Sequence, residues 1–233
     1  MQLSDNNITT LIAQRNWDSL YSRFDRMSNS EFRRVQQVVR VQILPHLSAD
    51  LFWDAYLHLL VYRRQSFLSS IMAIHHLAHA GQLTFDCPEA LATSSWLRAN
   101  SPDSVVKVLR MAVPELASSE QIQACFQWLD FSDSREIANI LVHETSAHAY
   151  HALFTMLKHD DGNMPLLRSV FVNLLRKGDD MSFNMASILR AYFDIKDINS
   201  TLSLQIEPYE LSYIDQSADN FMHVLKGKQP KMR

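Results

Sequence analysis

The sequence predicts an all-α protein of about ten short helices, and three observations carry that reading. Glycine and proline are scarce, 4 and 7 in 233 residues, whereas average glycine usage is about 7%. Apolar residues recur at i, i+3, i+4 and i+7, the spacing that lines one face of a helix. Serine or aspartate stands before many of these stripes, often with Glu or Gln three residues later, which is how a helix start satisfies its free amides.

Taken in order, Ser4 and Asp5 precede a helix bearing Ile8, Leu11 and Ile12, and Trp17, Leu20, Tyr21, Phe24 and Met27 form the next stripe. Ser28 with Glu31 is a capping box. It opens a helix through Val35, Val38 and Val39 that should stop before Pro45. Leu51 to Tyr62 and Ser66 to Ala80 follow, the second closed by Gly81 at the position where a left-handed residue ends a helix. Asp86 with Glu89 predicts the start of the helix carrying Trp96 and Leu97. Ser101-Pro102 is an N-cap followed by a proline at the first helical position, and that helix, with Val105, Val106 and Leu109, stops before Pro114.

Ser118 with Gln121 caps the helix of Ile122, Phe126 and Leu129, and Asp133 with Glu136 caps that of Ile137, Ile140 and Leu141. A further helix runs to about Leu157, continuous or broken near Thr145. Met164-Pro165 opens another, closed by Gly178, and the last runs from about Met181 to Phe193 with Phe183, Ala186 and Leu189. After Asp194 the pattern changes. Leu202, Leu204 and Ile206 alternate with polar residues, a period of two that predicts an extended segment. Pro208 ends it, and a short capping helix between Tyr209 and Leu225 and a mobile tail complete residues 195–233.

Connections of about 2–8 residues make consecutive helices near-antiparallel neighbours. Trp17-Asp18 and Trp53-Asp54 lie 36 apart, Arg33-Arg34 and Arg63-Arg64 lie 30 apart, and Trp96-Leu97 and Trp128-Leu129 lie 32 apart, with no fixed period along the whole chain. Helix pairs of roughly 30–40 residues are the unit of stacked α-helical repeats. Over about Trp17 to Phe193 the chain thus resembles the HEAT/armadillo-like class of helical repeats, on helix length and pairing. The Trp-x-x-Leu-Gly of tetratricopeptide repeats and the Thr-Pro-Leu-His of ankyrin repeats are absent. The resemblance implies a right-handed, α-solenoid-like stack of antiparallel helix pairs over residues 1–194, with a concave face for a protein partner. A compact irregular helical domain is the alternative.

Composition excludes several classes. Net charge is −3, so there is no global attraction to nucleic acid or anionic lipid. The richest apolar stretch, Leu51 to Tyr62, carries Asp54 and His58 and falls short of the roughly 18 residues of a membrane span. MQLSDNN lacks a basic run followed by an apolar one, so no signal peptide is expected, and Cys87 and Cys125 form neither a disulfide framework nor a metal motif. A cytoplasmic protein without membrane contact is expected. Four glycines cannot build a P-loop or a dinucleotide fingerprint, and there is no G-x-S-x-G elbow. Asp160-Asp161 and Asp179-Asp180 each flank a glycine between helices and read as turn and cap residues.

Histidine is the residue type that clusters. His143-Glu144 with His148 has one residue too many for a zincin, whose two histidines need i and i+4. Glu144, His148 and His151, at i, i+4 and i+7, would share one helical stripe and are the candidate ligands of a Zn or Fe ion in a metal-dependent hydrolase or oxygenase. His75, His76 and His79 offer a second i, i+4 pair. Against a metal, His75 and His79 continue the Leu68–Met72 stripe as half-buried histidines, and a cap at Thr145 or Ser146 would leave Glu144 in a loop.

Arginines outnumber lysines 15 to 7, and arginine suits fixed, bidentate or stacked contacts. Arg33, Arg34, Arg63 and Arg64, with Trp17 and Trp53 nearby in sequence, would be the ingredients of a nucleic-acid groove. Residues 101–150, however, carry 7 acidic against 3 basic residues, and the tryptophans fit the apolar stripes as core. The expectation is therefore a protein-interaction or scaffold module without catalysis or cofactor. In it the four arginines hold acidic groups of a protein partner and aromatic residues supply the anchors.

Overall fold

The computed structural model describes residues 5–144, 146–160 and 163–193. The expected extended segment, capping helix and tail of residues 195–233 lie outside the described residues. Among those described, every element is helical, no strand occurs, and no helix is long and apolar enough to cross a membrane. The chain divides into two compact units, Met1–Ser132 and Asp133–Arg233.

In the first unit, α1 (Asp5–Ala13), α2 (Trp17–Asp25) and α3 (Asn29–Val38) are followed by α4 (Ala49–Phe67), α5 (His75–His79), α6 (Pro88–Asn100), α7 (Val105–Ala112) and α8 (Ser119–Trp128). Ser28 caps α3 with both halves of the capping box, accepting the Glu31 amide at 3.4 Å while Glu31 accepts the Ser28 amide at 2.9 Å. The approach to Pro45 differs from the expected stop. After Val38 the chain widens into a π-helical turn, Val39–Ile43, and then tightens into a 3₁₀ turn, Leu44–His46, that contains the proline. A change of register avoids the clash between a proline ring and the carbonyl four residues back. The expected helix from Ser66 to Ala80 is likewise redrawn. α4 runs on to Phe67 across a break at Arg63 (φ −143°, ψ 71°), and a 3₁₀ stretch, Leu68–Ile74, leads into α5.

Asp86 is not the cap of α6. That place is held by Cys87 with Pro88 at the first helical position, and the Asp86 carboxylate instead accepts the Thr84 hydroxyl. Three helices of this unit end in the same pair of backbone hydrogen bonds. Gly81 (φ 68°), Arg15 (φ 52°) and Asp130 (φ 51°) each adopt the left-handed conformation while their amide and the next one bond back into the last turn. The core is aromatic: Phe24, Phe52, Trp53, Tyr56 and Phe67 are fully buried. Trp53 packs against Phe85 and Trp128, and the two indoles donate to the Thr84 carbonyl (2.8 Å) and the Ala90 carbonyl (2.6 Å).

In the second unit, α9 (Ser134–His143), α10 (Ala147–His159), α11 (Met164–Lys177) and α12 (Asp180–Phe193) enclose an aliphatic core of Leu141, Leu153, Leu157, Leu166, Leu167, Val170, Leu174 and Leu189, with Phe171. α11 packs on α9 and α12, and α10 packs on α9. Asp133 caps α9 as expected, and Gly178 (φ 73°) closes α11.

Candidate functional site

The richest side-chain constellation in the first unit lies where α2 meets α4. Trp17 and Tyr21 stand one turn apart on α2, and Asp54, His58 and Tyr62 stand one turn apart on α4, so each helix presents a single stripe. The stripes interlock as a ladder of rings. Trp17 stacks on His58 with centroids 4.5 Å apart and planes 13° apart, and Tyr21 stacks on Tyr62 at 4.7 Å and 4°. The Tyr62 hydroxyl donates to the Asp25 carboxylate. Trp17, Tyr21, His58 and Tyr62 are only half-buried, so the ladder is open to solvent along one edge.

Both nitrogens of His58 are engaged. Nε2 faces Asp54 Oδ1 at 3.5 Å, and Nδ1 lies 2.8 Å from the Tyr21 hydroxyl. A carboxylate only accepts, so the ring proton of neutral His58 belongs on Nε2, and Nδ1 accepts from Tyr21. The same hydroxyl lies 3.1 Å from the His58 carbonyl oxygen, its alternative acceptor. Burial pushes the Tyr21 phenol up to about 12, helped by Asp18, Asp54 and Tyr62. Burial also lowers the His58 imidazole below its ordinary value, against the opposing pull of Asp54 and Asp18. Arg15, in its left-handed conformation after α1, reaches Asp50 at 2.8 Å and Asp54 at 3.3 Å. With every polar atom of the His58 ring tied to a neighbour, the Asp54–His58–Tyr21 chain holds the rings in register.

At its other end the ladder meets arginine. The break in α4 carries the Arg63 guanidinium 4.3 Å over the Phe32 ring and 5.6 Å from that of Tyr62, in cation–π range. Phe32 lies on α3, the helix that also bears the exposed Arg33 and Arg34. Arg64 departs from the other three: its Nε donates to Ser101 Oγ at 2.8 Å, just after α6. Trp53 and Trp128 are core, as the stripes predict, but Trp17 and Trp96 are only half-buried. Sequence reasoning thus put Trp17 in the core and passed over His58 as a polar interruption of an apolar run. Its signal was the i, i+4, i+8 spacing of Asp54, His58 and Tyr62.

The metal candidates fall in the second unit. α9 ends at His143, Glu144 follows with an extended backbone (φ −81°, ψ 126°), and Ser146 caps α10 by accepting the Ala149 amide at 3.1 Å. Glu144 therefore does not share a helical stripe with His148 and His151, which sit three residues apart on α10 and are both exposed. His151 instead edges an apolar cavity of about 400 Å³ with Tyr150, Phe154, Met181, Met185 and Ile188. In the first unit His75 and His79 lie with ring centroids 4.2 Å apart, and His75 Nδ1 pairs with Glu115 at 3.2 Å. Among the described residues no group of three or more His, Cys, Asp or Glu side chains is arranged to hold a metal ion.

The remaining sequence candidates resolve into caps and core. Asp179 accepts the Ser182 amide at 2.8 Å at the start of α12, and Asp160 accepts from Asn163 in the turn before α11. Burial pushes the Cys125 thiol up to about 12 and raises that of Cys87, which disfavours the reactive thiolate at both. No family model, curated protein or solved structure matches this chain.

Proposed function

We propose that this chain is a protein-interaction module, a cytoplasmic scaffold of α-solenoid-like helix pairs without chemistry of its own, whose partner docks on the ring ladder of α2 and α4. The observation that carries this reading is the half-exposed Trp17–His58–Tyr21–Tyr62 stack ending in Arg63 over Phe32. Interface anchors are drawn from Trp, Tyr and Arg: the rings bury much area at little cost in rotamer freedom, and the guanidinium adds several directed hydrogen bonds. Arg33, Arg34 and Arg63 would then grip acidic groups of the partner beside the aromatic anchors. A polyanion is the poorer occupant, since Asp18, Asp25, Asp50 and Asp54 surround the same ladder and would repel phosphates.

Affinity capture from the source cell with the full chain, followed by titration of the captured partner, tests this reading. Trp17→Ala and the triple variant Arg33→Ala/Arg34→Ala/Arg63→Ala should each weaken binding by at least about tenfold, the loss of one hot spot. Arg64→Ala should leave it unchanged, because that guanidinium is bonded to Ser101. Equal affinity of all variants for the captured partner would refute a docking face at the ladder.

A further inference from the structure

The first unit also holds a concave feature, well separated in sequence from the ladder. The loop before α6, α6 itself and α8 line an open cavity of about 550 Å³, within the roughly 300–1,000 Å³ typical of ligand sites. Its apolar lining comes from Leu83, Phe85, Leu91 and Trp128, and its charged lining from Asp86 and Glu120. Among the described residues no Lys, Arg or His lines it. Leu91 is 50% exposed, an uncovered aliphatic wall, whereas Phe85 and Trp128 form a nearly buried floor fixed from below by Trp53. The floor is rigid: the Trp128 indole donates to Ala90, and Gln121 alongside uses both ends of its amide, on the Ala78 carbonyl and the Ala117 amide. Asp86 and Glu120 come from different elements, the loop and the first turn of α8, and both are exposed.

We propose that this cavity binds a primary alkylammonium group, its methylenes lying along Leu83, Leu91 and the aromatic floor and its charge held by the Asp86 and Glu120 carboxylates. Two features select that ligand over others. Charge of one sign on the rim repels carboxylates and phosphates. The apolar wall and floor reward a hydrocarbon stem that a bare metal ion lacks. The same chemistry is offered by a free amine and by a lysine side chain of a protein segment.

The test is titration of the full ¹⁵N-labelled protein, following the Trp128 indole N–H signal, assigned with Trp128→Phe. Hexylammonium should give a saturable shift that weakens with added salt, while hexanoate should give none. Asp86→Asn/Glu120→Gln, a pair of exposed and near-isosteric changes that spare the fold, should weaken hexylammonium binding by at least about tenfold. A capped Ala-Lys-Ala peptide separates the two sources: binding as tight as that of hexylammonium assigns the site to a lysine side chain, and binding of the amine alone assigns it to a free amine. No saturable shift with either probe, an equal response to hexanoate, or unchanged binding in the double variant would overturn the proposal.

Discussion

The two compact units share one kind of secondary structure and differ in how regular it is. In Asp133–Arg233 each described helix starts on a side-chain cap, from Asp133, Ser146, Asn163 and Asp179, and the core is filled by leucine and valine. In Met1–Ser132 the helices widen at Val39, break at Arg63, tighten at Leu68 and end on left-handed Arg15 and Asp130. Regular amphipathic helices close a core with small aliphatic knobs. Large rings such as those of Trp53 and Tyr56 need particular orientations and partners for their polar tips, and the backbone bends to supply them. The same irregularity leaves a row of rings and an arginine at the surface of the first unit.

The largest effect should come from that core. Trp53→Ala removes a fully buried indole and its bond to Thr84, and should cost about 3–5 kcal/mol. Leu153→Ala in the aliphatic core should cost about 2–3 kcal/mol, the lower part of the range for leucine. Chemical denaturation of both variants measures the contrast. A smaller loss for Trp53→Ala would mean that the aromatic core relaxes around the hole, and that its ring orientations are not what the irregular backbone serves.

The same contrast explains what the sequence could and could not reveal. The Ser28–Glu31 box, the caps at Ser118 and Asp133 and the stops at Gly81 and Gly178 are local, set by residues within a turn of one another, and the structure has each of them, whereas the helix expected over Ser66–Ala80 and the cap expected at Asp86 are redrawn. The π-helical turn before Pro45 and the break at Arg63 are answers to packing from other helices, which no window of sequence contains. Left-handed Arg15 and Asp130 were invisible for the same reason, since glycine is the residue that announces such a position. The ladder was half legible. The Trp17–Tyr21 stripe of α2 was in view, but Asp54 and His58 read only as interruptions of an apolar run, and that the two helices meet, with Trp17 on His58, is a fact of tertiary pairing.

Asp130 offers a gentler test of irregularity. An L-residue in the left-handed region is disfavoured by about 1–2 kcal/mol relative to glycine, and what Asp130 returns is an exposed pair with Arg98 at 2.9 Å, a contact worth at most about 1 kcal/mol. Asp130→Gly should therefore raise stability by about 1 kcal/mol, read as an upward shift of the denaturation midpoint. A loss would indicate that the Arg98 pair holds the end of α8 more firmly than its exposure suggests.

A smaller effect is expected from His58. Because burial lowers its folded value below the ordinary 6.5, the folded state prefers the neutral ring. Between the folded value and 6.5 the unfolded chain binds more protons, so stability rises with pH across that window. The contribution is complete above about 6.5 and is lost as pH falls through the folded value. With a side chain 35% exposed, the difference should stay below about 1 kcal/mol after solvent screening. Subtracting the pH profile of His58→Gln from that of the wild type isolates it from the other histidines. A wild-type profile that falls no more steeply below pH 6.5 than the variant's would show that Asp54 and Asp18 outweigh burial.

The smallest effect should belong to the second unit's histidines. His148 and His151 are exposed on α10, and Glu144 has left their stripe because Ser146 starts a new helix. Substituting both by alanine should change stability by no more than about 0.5 kcal/mol, and elemental mass spectrometry of untagged protein purified without chelator should find no stoichiometric zinc or iron in either form. The physical ground is ligand geometry: two histidines three residues apart supply at most half of a tetrahedral site, and the carboxylate that would complete a third position hangs from a separately oriented backbone. One equivalent of metal lost on His148→Ala would break the comparison outright, moving the chemistry of this chain into its regular, aliphatic half.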